Sequence, residues 1–206
     1  MFFKKKNKEE KLPLKLFCID NDPILYVASF LALCRQINFV IERVDSNDSS
    51  EYSALISSID SLPLLQDGDF STCRNLSVIT YLNYVGSKPK IIPRKARILA
   101  RQNFYSSLIN NILYKDREKS EKDKVLSMID QELQINDYIA DIADVKNEIT
   151  LADIYLFGYI MTTSDDISTY KNIADWSKKI FSFILSKNNN SQLDEKINKQ
   201  IMEKKV

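Results

Sequence analysis

Histidine is missing from all 206 residues of this chain. Imidazole is the side chain most able to exchange a proton near neutral pH, and it is the commonest metal ligand. Its absence removes Ser-His-Asp and Cys-His catalysis and every His-based metal site. Cysteine is scarce as well. Cys18, Cys34 and Cys73 are odd in number, scattered and not arranged as Cys-x-x-Cys, which argues against a disulfide framework or a zinc site and for buried thiols. Glycine occurs only 3 times while Asn, Lys and Ile abound, a bias expected of an AT-rich genome, so the Asn-rich stretches need no functional explanation.

Long apolar runs are also lacking, and no stretch of about 18 residues is suited to spanning a bilayer. The opening Met1-Phe2-Phe3-Lys4 places its charges after the apolar pair, unlike a signal peptide. The expectation is a cytoplasmic protein with no membrane partner. Neither sign of charge dominates: 29 Lys and Arg stand against 28 Asp and Glu, so no global field draws in nucleic acid and any RNA contact must be local. What is present is ordinary for a globular protein, with 44% hydrophobic and 28% charged residues. A chain of this length suits one large domain or two small halves packed together.

Periodicity divides the chain at a linker. Residues 1–11 are charged and aperiodic and read as a mobile lead-in. A strand follows, ending near Ile19, and then the turn Asp20-Asn21-Asp22-Pro23, in which Asp22 is placed to cap a helix opened by Pro23. Apolar residues at helical spacing run from Ile24 to Arg35, and Ile37 to Asp45 reads as a second strand, parallel to the first. Asp45 to Glu51 reads as a loop and Tyr52 to Ile59 as a short helix. Leu62 to Phe70 reads as a hairpin turning at Asp67-Gly68, with Pro63 at a strand edge where a cis bond is possible. Asn75 is expected to cap a helix that Gly86 ends.

These elements make a unit over 12–86, and Ser87 to Ile92, with Pro89, reads as the linker. From 93 to 186 the pattern is helical throughout: Pro93 to Tyr114, Val125 to Leu133, a helix from Leu151 and another from Ile173 to Leu185. Lys115 to Lys124 reads as an exposed break. Thr150 and Asp153 form a variant capping box, with Ile149 positioned to staple onto Ile154. Residues 187–206 read as a polar tail, or as a linker to a further domain beyond Val206. The expected class is therefore α/β plus all-α: a thioredoxin-like β-α-β-α-β-β-α half followed by an all-helical half.

Three segments carry a resemblance. Leu62 to Phe70 is similar to the cis-proline strand and hairpin of the glutathione-transferase superfamily, Asn75 to Leu82 to the segment entering its third helix, and Ile149 to Phe157 to its buried capping-box helix. The match covers roughly residues 14 to 186, and Trp176 falls in a segment resembling the late helix. The resemblance implies a glutathione pocket built from Asp22, Tyr26, Pro63, Arg74 and Asn75. Members that activate glutathione carry a Tyr, Ser or Cys after the first strand, because a donor there lowers the pKa of the sulfur. Here Asp22 stands where redox-type members carry Cys, and a carboxylate raises the pKa of a nearby thiol. At the third helix the family has an acid followed by Ser, whereas this chain has Arg74-Asn75, which reverses the charge that meets the ligand's ammonium. The implied pocket is vestigial, with no catalytic residue, cofactor or metal, although Tyr26 keeps open an active transferase or peroxidase with an atypical thiol-activating residue. A third reading is a chaperone-like or redox-sensing protein, which thiol titration at Cys34 and Cys73 addresses.

Within the superfamily the segments Arg101 to Tyr114 and Ile149 to Phe157 are similar to non-catalytic domains appended to methionyl- and glutamyl-tRNA synthetases. That resemblance implies a docking module of a synthetase or translation-factor complex. Its partners would be the like domains of other synthetases or a scaffold protein, in a homo- or hetero-dimer, with tRNA met indirectly through the complex. The late helix, with Asp175, Trp176, Lys178 and Lys179, is the implied partner surface, Asp175 accepting a charge-assisted bond from a partner Arg. Arg94, Lys95, Arg97 and Arg101 crowd the expected start of the long helix, where cations oppose the helix dipole. That favours a phosphate or RNA contact, to which Lys4 to Lys8 would add.

Overall fold

The computed structural model describes residues 13–44, 62–142, 149–187 and 194–204. The expected lead-in, the loop Asp45 to Glu51 and the helix Tyr52 to Ile59 lie outside these residues. β1 (Leu14–Cys18) is apolar almost throughout because it lies inside the sheet, covered on both faces. It pairs in parallel with β2 (Phe39–Arg43) and antiparallel with β3 (Leu64–Asp67), which in turn pairs with β4 (Phe70–Cys73), giving the order β2-β1-β3-β4. The hairpin closes with Asp67 opposite Phe70, so its two loop residues are Gly68 and Asp69, and Gly68 has the positive φ of 59° that this tight turn asks of its first residue.

α1 (Pro23–Arg35) starts as its sequence dictates. The Asp22 carboxylate accepts a bond from the Ile24 N–H at 2.8 Å, and Pro23 takes the position where a missing N–H costs nothing. The helix ends on left-handed Gln36, whose N–H returns to the carbonyls of Ala32 and Leu33. α2 (Asn75–Val85) differs from expectation at its start. Arg74, at φ 71°, is the capping position and makes no side-chain cap bond, and Asn75 is the first helical residue.

The helical half also begins later than its pattern suggests. α3 (Ala96–Leu108) starts three residues past Pro93, because Asn83 of α2 pins the preceding chain: its side chain accepts from the Ile91 N–H at 2.9 Å and donates to the Ile91 carbonyl at 3.2 Å. A π-helical turn, Ile109–Leu113, continues α3. α4 (Lys119–Ile135) absorbs part of the expected break, since Lys119, Glu121, Lys122 and Lys124 keep a helix well when one face is solvated. α5 (Leu151–Thr162) carries the capping box, with the Asp153 carboxylate accepting from the Thr150 N–H at 2.9 Å.

α6 (Lys171–Lys187) is longer than expected at both ends, and α7 (Glu195–Lys204) forms where a polar tail was expected. Ile197 and Ile201, one turn apart, are buried against the core and hold α7 to the body of the protein. The two halves share one core, in which α1 lies against α5 with the Phe30 and Phe157 rings edge to face at 5.0 Å. Among the described residues no helix is long and apolar enough to cross a membrane.

Candidate functional site

Register brings three segments together at one end of the sheet. β1 finishes at Cys18, Phe17 faces Leu64 at the start of β3, and Leu64 faces Cys73 at the end of β4. The turn at residues 19–22, Pro63 and Arg74 therefore meet there. The Leu62-Pro63 bond is cis, and the Pro63 carbonyl accepts a bond from the Arg74 N–H at 3.2 Å. Arg74 holds a left-handed φ that non-glycine residues avoid, a strain that persists only where neighbouring structure over-determines the backbone. Its side chain is exposed, and Asn75 beside it is half-buried.

The charges at this end work against an ionised sulfur. Burial raises the Asp22 carboxyl above its ordinary value, opposed by the bond from the Ile24 N–H. Cys18, fully buried, has a thiol pushed up to about 12, first by burial and then by the Asp22 charge. Such a thiol is inert at neutral pH. Cys34 is likewise pushed up to about 12 by burial, which disfavours its thiolate at neutral pH. Tyr26 is 1% exposed, its phenol is raised by burial, and its hydroxyl donates to the Gln200 side chain at 2.8 Å. It faces the protein's own last helix and holds it.

α7 lies over this same turn, an arrangement the sequence reading missed. Lys196 pairs with Asp20 at 2.7 Å, and Arg43, at the end of β2, bonds Asp194 at 2.6 Å and Asp20 at 3.0 Å. Asp194 also caps α7, accepting from the N–H groups of Lys196 and Ile197. At the other end Lys204 donates to the carbonyls of Ile160 and Thr163 at the close of α5, where a cation suits the helix dipole. The available signal was the spacing of Ile197 and Ile201, the one apolar stripe in an otherwise polar stretch.

This dock has a pH dependence of known sign. The bond from Lys196, then its charge and that of Arg43, hold Asp20 below the usual carboxylate range against the effect of burial. Burial alone would raise Asp194, but Arg43 and the capping N–H groups hold it below as well. A carboxylate with a depressed folded pKa stabilises fully above its unfolded value and loses that contribution as pH falls through the folded one. Hydrogen exchange of the α7 amides should therefore be slow and flat from pH 5 to 8, once corrected for intrinsic rates, and lose protection below about pH 4. Arg43→Ala should speed exchange in α7 at pH 7 by roughly fivefold, the effect of about 1 kcal/mol. Unchanged exchange in this variant would show that the ion pairs do not hold the helix.

The remaining expected site residues divide by environment. Trp176 is 4% exposed and part of the core, so it positions α6 and offers no contact face. Lys179 donates to Asp137 at 2.6 Å, while Asp175 and Lys178 are exposed and sit 3.8 Å apart. Arg101 turns inward, donating to Glu132 at 2.5 Å and to the Ile139 carbonyl, and so leaves the basic cluster. Arg94, Lys95 and Arg97 remain exposed, the first two ahead of α3. Among the described residues no group of three or more Cys, Asp or Glu is placed to hold a metal ion.

No protein-family profile matches the sequence, and no curated protein does. Solved structures do match in shape. A delta-class glutathione transferase of Nilaparvata lugens superposes with a TM-score of 0.69 at 17% identity, covering 93% of this chain and 100% of that one. Glutathione S-transferase 1-6 from Anopheles dirus species B gives 0.69 at 17% identity, covering 92% and 96%. A possible glutathione S-transferase from Rhodopseudomonas palustris gives 0.66 at 17% identity, covering 89% and 97%. At such identities shape is what is shared, and fold does not carry activity with it. The chain has the glutathione-transferase fold, a four-stranded thioredoxin-like sheet half joined to an all-helical half.

Proposed function

We propose that this chain is a non-catalytic glutathione-transferase-like docking domain of a translation assembly, serving an aminoacyl-tRNA synthetase or its scaffold protein. The observation that carries the non-catalytic reading is the turn after β1: its capping position holds the Asp22 carboxylate, whose charge adds to burial in raising the pKa of the Cys18 thiol. Arg74 adds a cation where the fold's ligand presents an ammonium, and α7 is docked against the turn by Lys196 and Arg43. The similarity of Arg101 to Tyr114 and Ile149 to Phe157 to synthetase-appended domains supports the translation setting. Exposed Asp175 and Lys178 remain available to a partner, with Asp175 accepting from a partner arginine.

Affinity purification from the source cell should recover synthetases or their scaffold, and Asp175→Ala should weaken that capture about tenfold. Full retention by the variant would remove Asp175 from the interface, and recovery of no translation protein would defeat the docking reading. A working transferase or peroxidase is the second reading, favoured by the intact backbone frame of Arg74 against Pro63. Immobilised glutathione should not retain the protein. Retention with turnover of a standard electrophile would establish the second reading instead.

A further inference from the structure

Away from the sheet end, the linker and the helical half enclose a cavity of about 590 Å³, within the range of small-molecule sites. Its lining has three chemistries. Ile91, Ile98 and Ile149 contribute aliphatic surface, suited to the faces of a flat ring. Arg94 and Lys95 contribute cations that have no ion-pair partner among the described residues. Lys90, also in the lining, is spoken for, its ammonium lying 3.4 Å from the centre of the Tyr84 ring. The third chemistry is Asp141, a carboxylate only 3% exposed, held by the Tyr138 N–H at 3.1 Å.

The walls are positioned before any ligand arrives. Asn83 clamps Ile91 through two hydrogen bonds, and the Thr150 N–H and hydroxyl both bond Asp153. Preorganisation of this kind lowers the cost of binding. Two free cations call for a phosphate, a buried acceptor calls for an N–H donor, and aliphatic walls call for a ring between them. A base with an exocyclic amine, carried on a phosphorylated sugar, meets all three demands.

We propose that this cavity binds an amino-substituted nucleotide, its phosphate held by Arg94 and Lys95, its ring packed against Ile91 and Ile149, and its amine donating to Asp141. The same nucleotide chemistry is available free or at the end of an RNA strand. The proposal is independent of the docking role, since the cavity involves neither the β1 turn nor Asp175.

Isothermal titration of the full chain with adenosine monophosphate tests it, with inosine monophosphate, inorganic phosphate and a short oligoadenylate as comparators. Adenosine monophosphate should bind at least tenfold more tightly than inosine monophosphate, whose keto oxygen faces Asp141 in place of an amine, and more tightly than phosphate alone. The double variant Arg94→Ala, Lys95→Ala alters only exposed side chains and should weaken binding tenfold or more, while Asp141→Asn should erase the preference for the amine. Tighter binding of oligoadenylate than of the mononucleotide would support an RNA end as the source, and weaker binding a free nucleotide. No binding of adenosine monophosphate at millimolar concentration, equal binding of the two nucleotides, or an unaffected double variant would each overturn the proposal.

Discussion

Asp153→Ala should lower the free energy of unfolding by about 3 to 5 kcal/mol, measured as the shift of the urea midpoint multiplied by the unfolding slope. The carboxylate is fully buried and accepts from the N–H of Thr150 at 2.9 Å, the N–H of Ile139 at 3.0 Å and the Thr150 hydroxyl at 2.8 Å. Truncation removes the capping box of α5 and strands two backbone donors away from water, each orphan costing about 1 to 3 kcal/mol. Relief comes from removing a buried acid, which burial pushes up to about 6 despite those bonds. The losses win, because the cap sits on a helix that is buried almost all round, where water cannot replace the lost acceptor. Asp153→Asn keeps one acceptor oxygen and should recover roughly half of the loss.

The pH profile separates this account from a simple loss of packing. A carboxyl whose folded pKa lies above its unfolded value leaves the native state holding more protons than the unfolded chain between the two values. Stability contributed by Asp153 therefore falls as pH rises from about 4 to about 6. Asp153→Ala should flatten this slope without abolishing it, because Asp141 is also pushed up to about 6, chiefly by burial. An unchanged slope would mean that Asp153 is ionised throughout the range.

Gly158→Ala should destabilise the fold by about 2 to 3 kcal/mol, against the usual direction for this substitution in a helix. Alanine in a helix interior is ordinarily worth about 1 kcal/mol over glycine. Here an added Cβ would lie 2.6 Å from the Tyr114 hydroxyl, 2.6 Å from a Val27 methyl and 2.8 Å from the Pro23 carbonyl, so α5 and α1 would have to separate. Moving Tyr114 also breaks the bond that its phenol donates to the Tyr155 carbonyl. Thermal denaturation of the variant should show the drop, and Val27→Ala in the same chain should restore part of it through a favourable coupling. A rise in melting temperature on the single change would show that the two helices are not in close contact at this point.

Both positions show how far local pattern reaches. Thr150 and Asp153 announce a helix start because a capping box is a spacing, readable from four residues, and the structure adds only the third donor, Ile139. Asp22-Pro23 announces α1 in the same way. Gly158 announces nothing: its demand comes from Val27 and Tyr114, distant in sequence. The start of α3 departs from the pattern for a similar reason, since Asn83 reaches across from α2 to hold Ile91.

The candidate site divides along the same line. The proposal that Asp22 and Arg74 oppose a thiolate and an ammonium rests on side-chain charge, which is legible in the sequence, and on the alignment of their segments with the fold's pocket. The role of Tyr26 did not follow, because its partner Gln200 lies 174 positions away. Composition excluded imidazole chemistry, hydrophobic period set the order of strands and helices, and short-range capping set several of their ends, all of them properties decided within a few residues. Tertiary structure alone decided that Arg101 turns inward to Glu132, that Trp176 serves the core, and that the final helix closes over the β1 turn through Asp20, Arg43 and Lys196. Those outcomes rest on long-range pairing, where the partner of a charge or an apolar stripe is whatever the folded chain brings within a few ångströms.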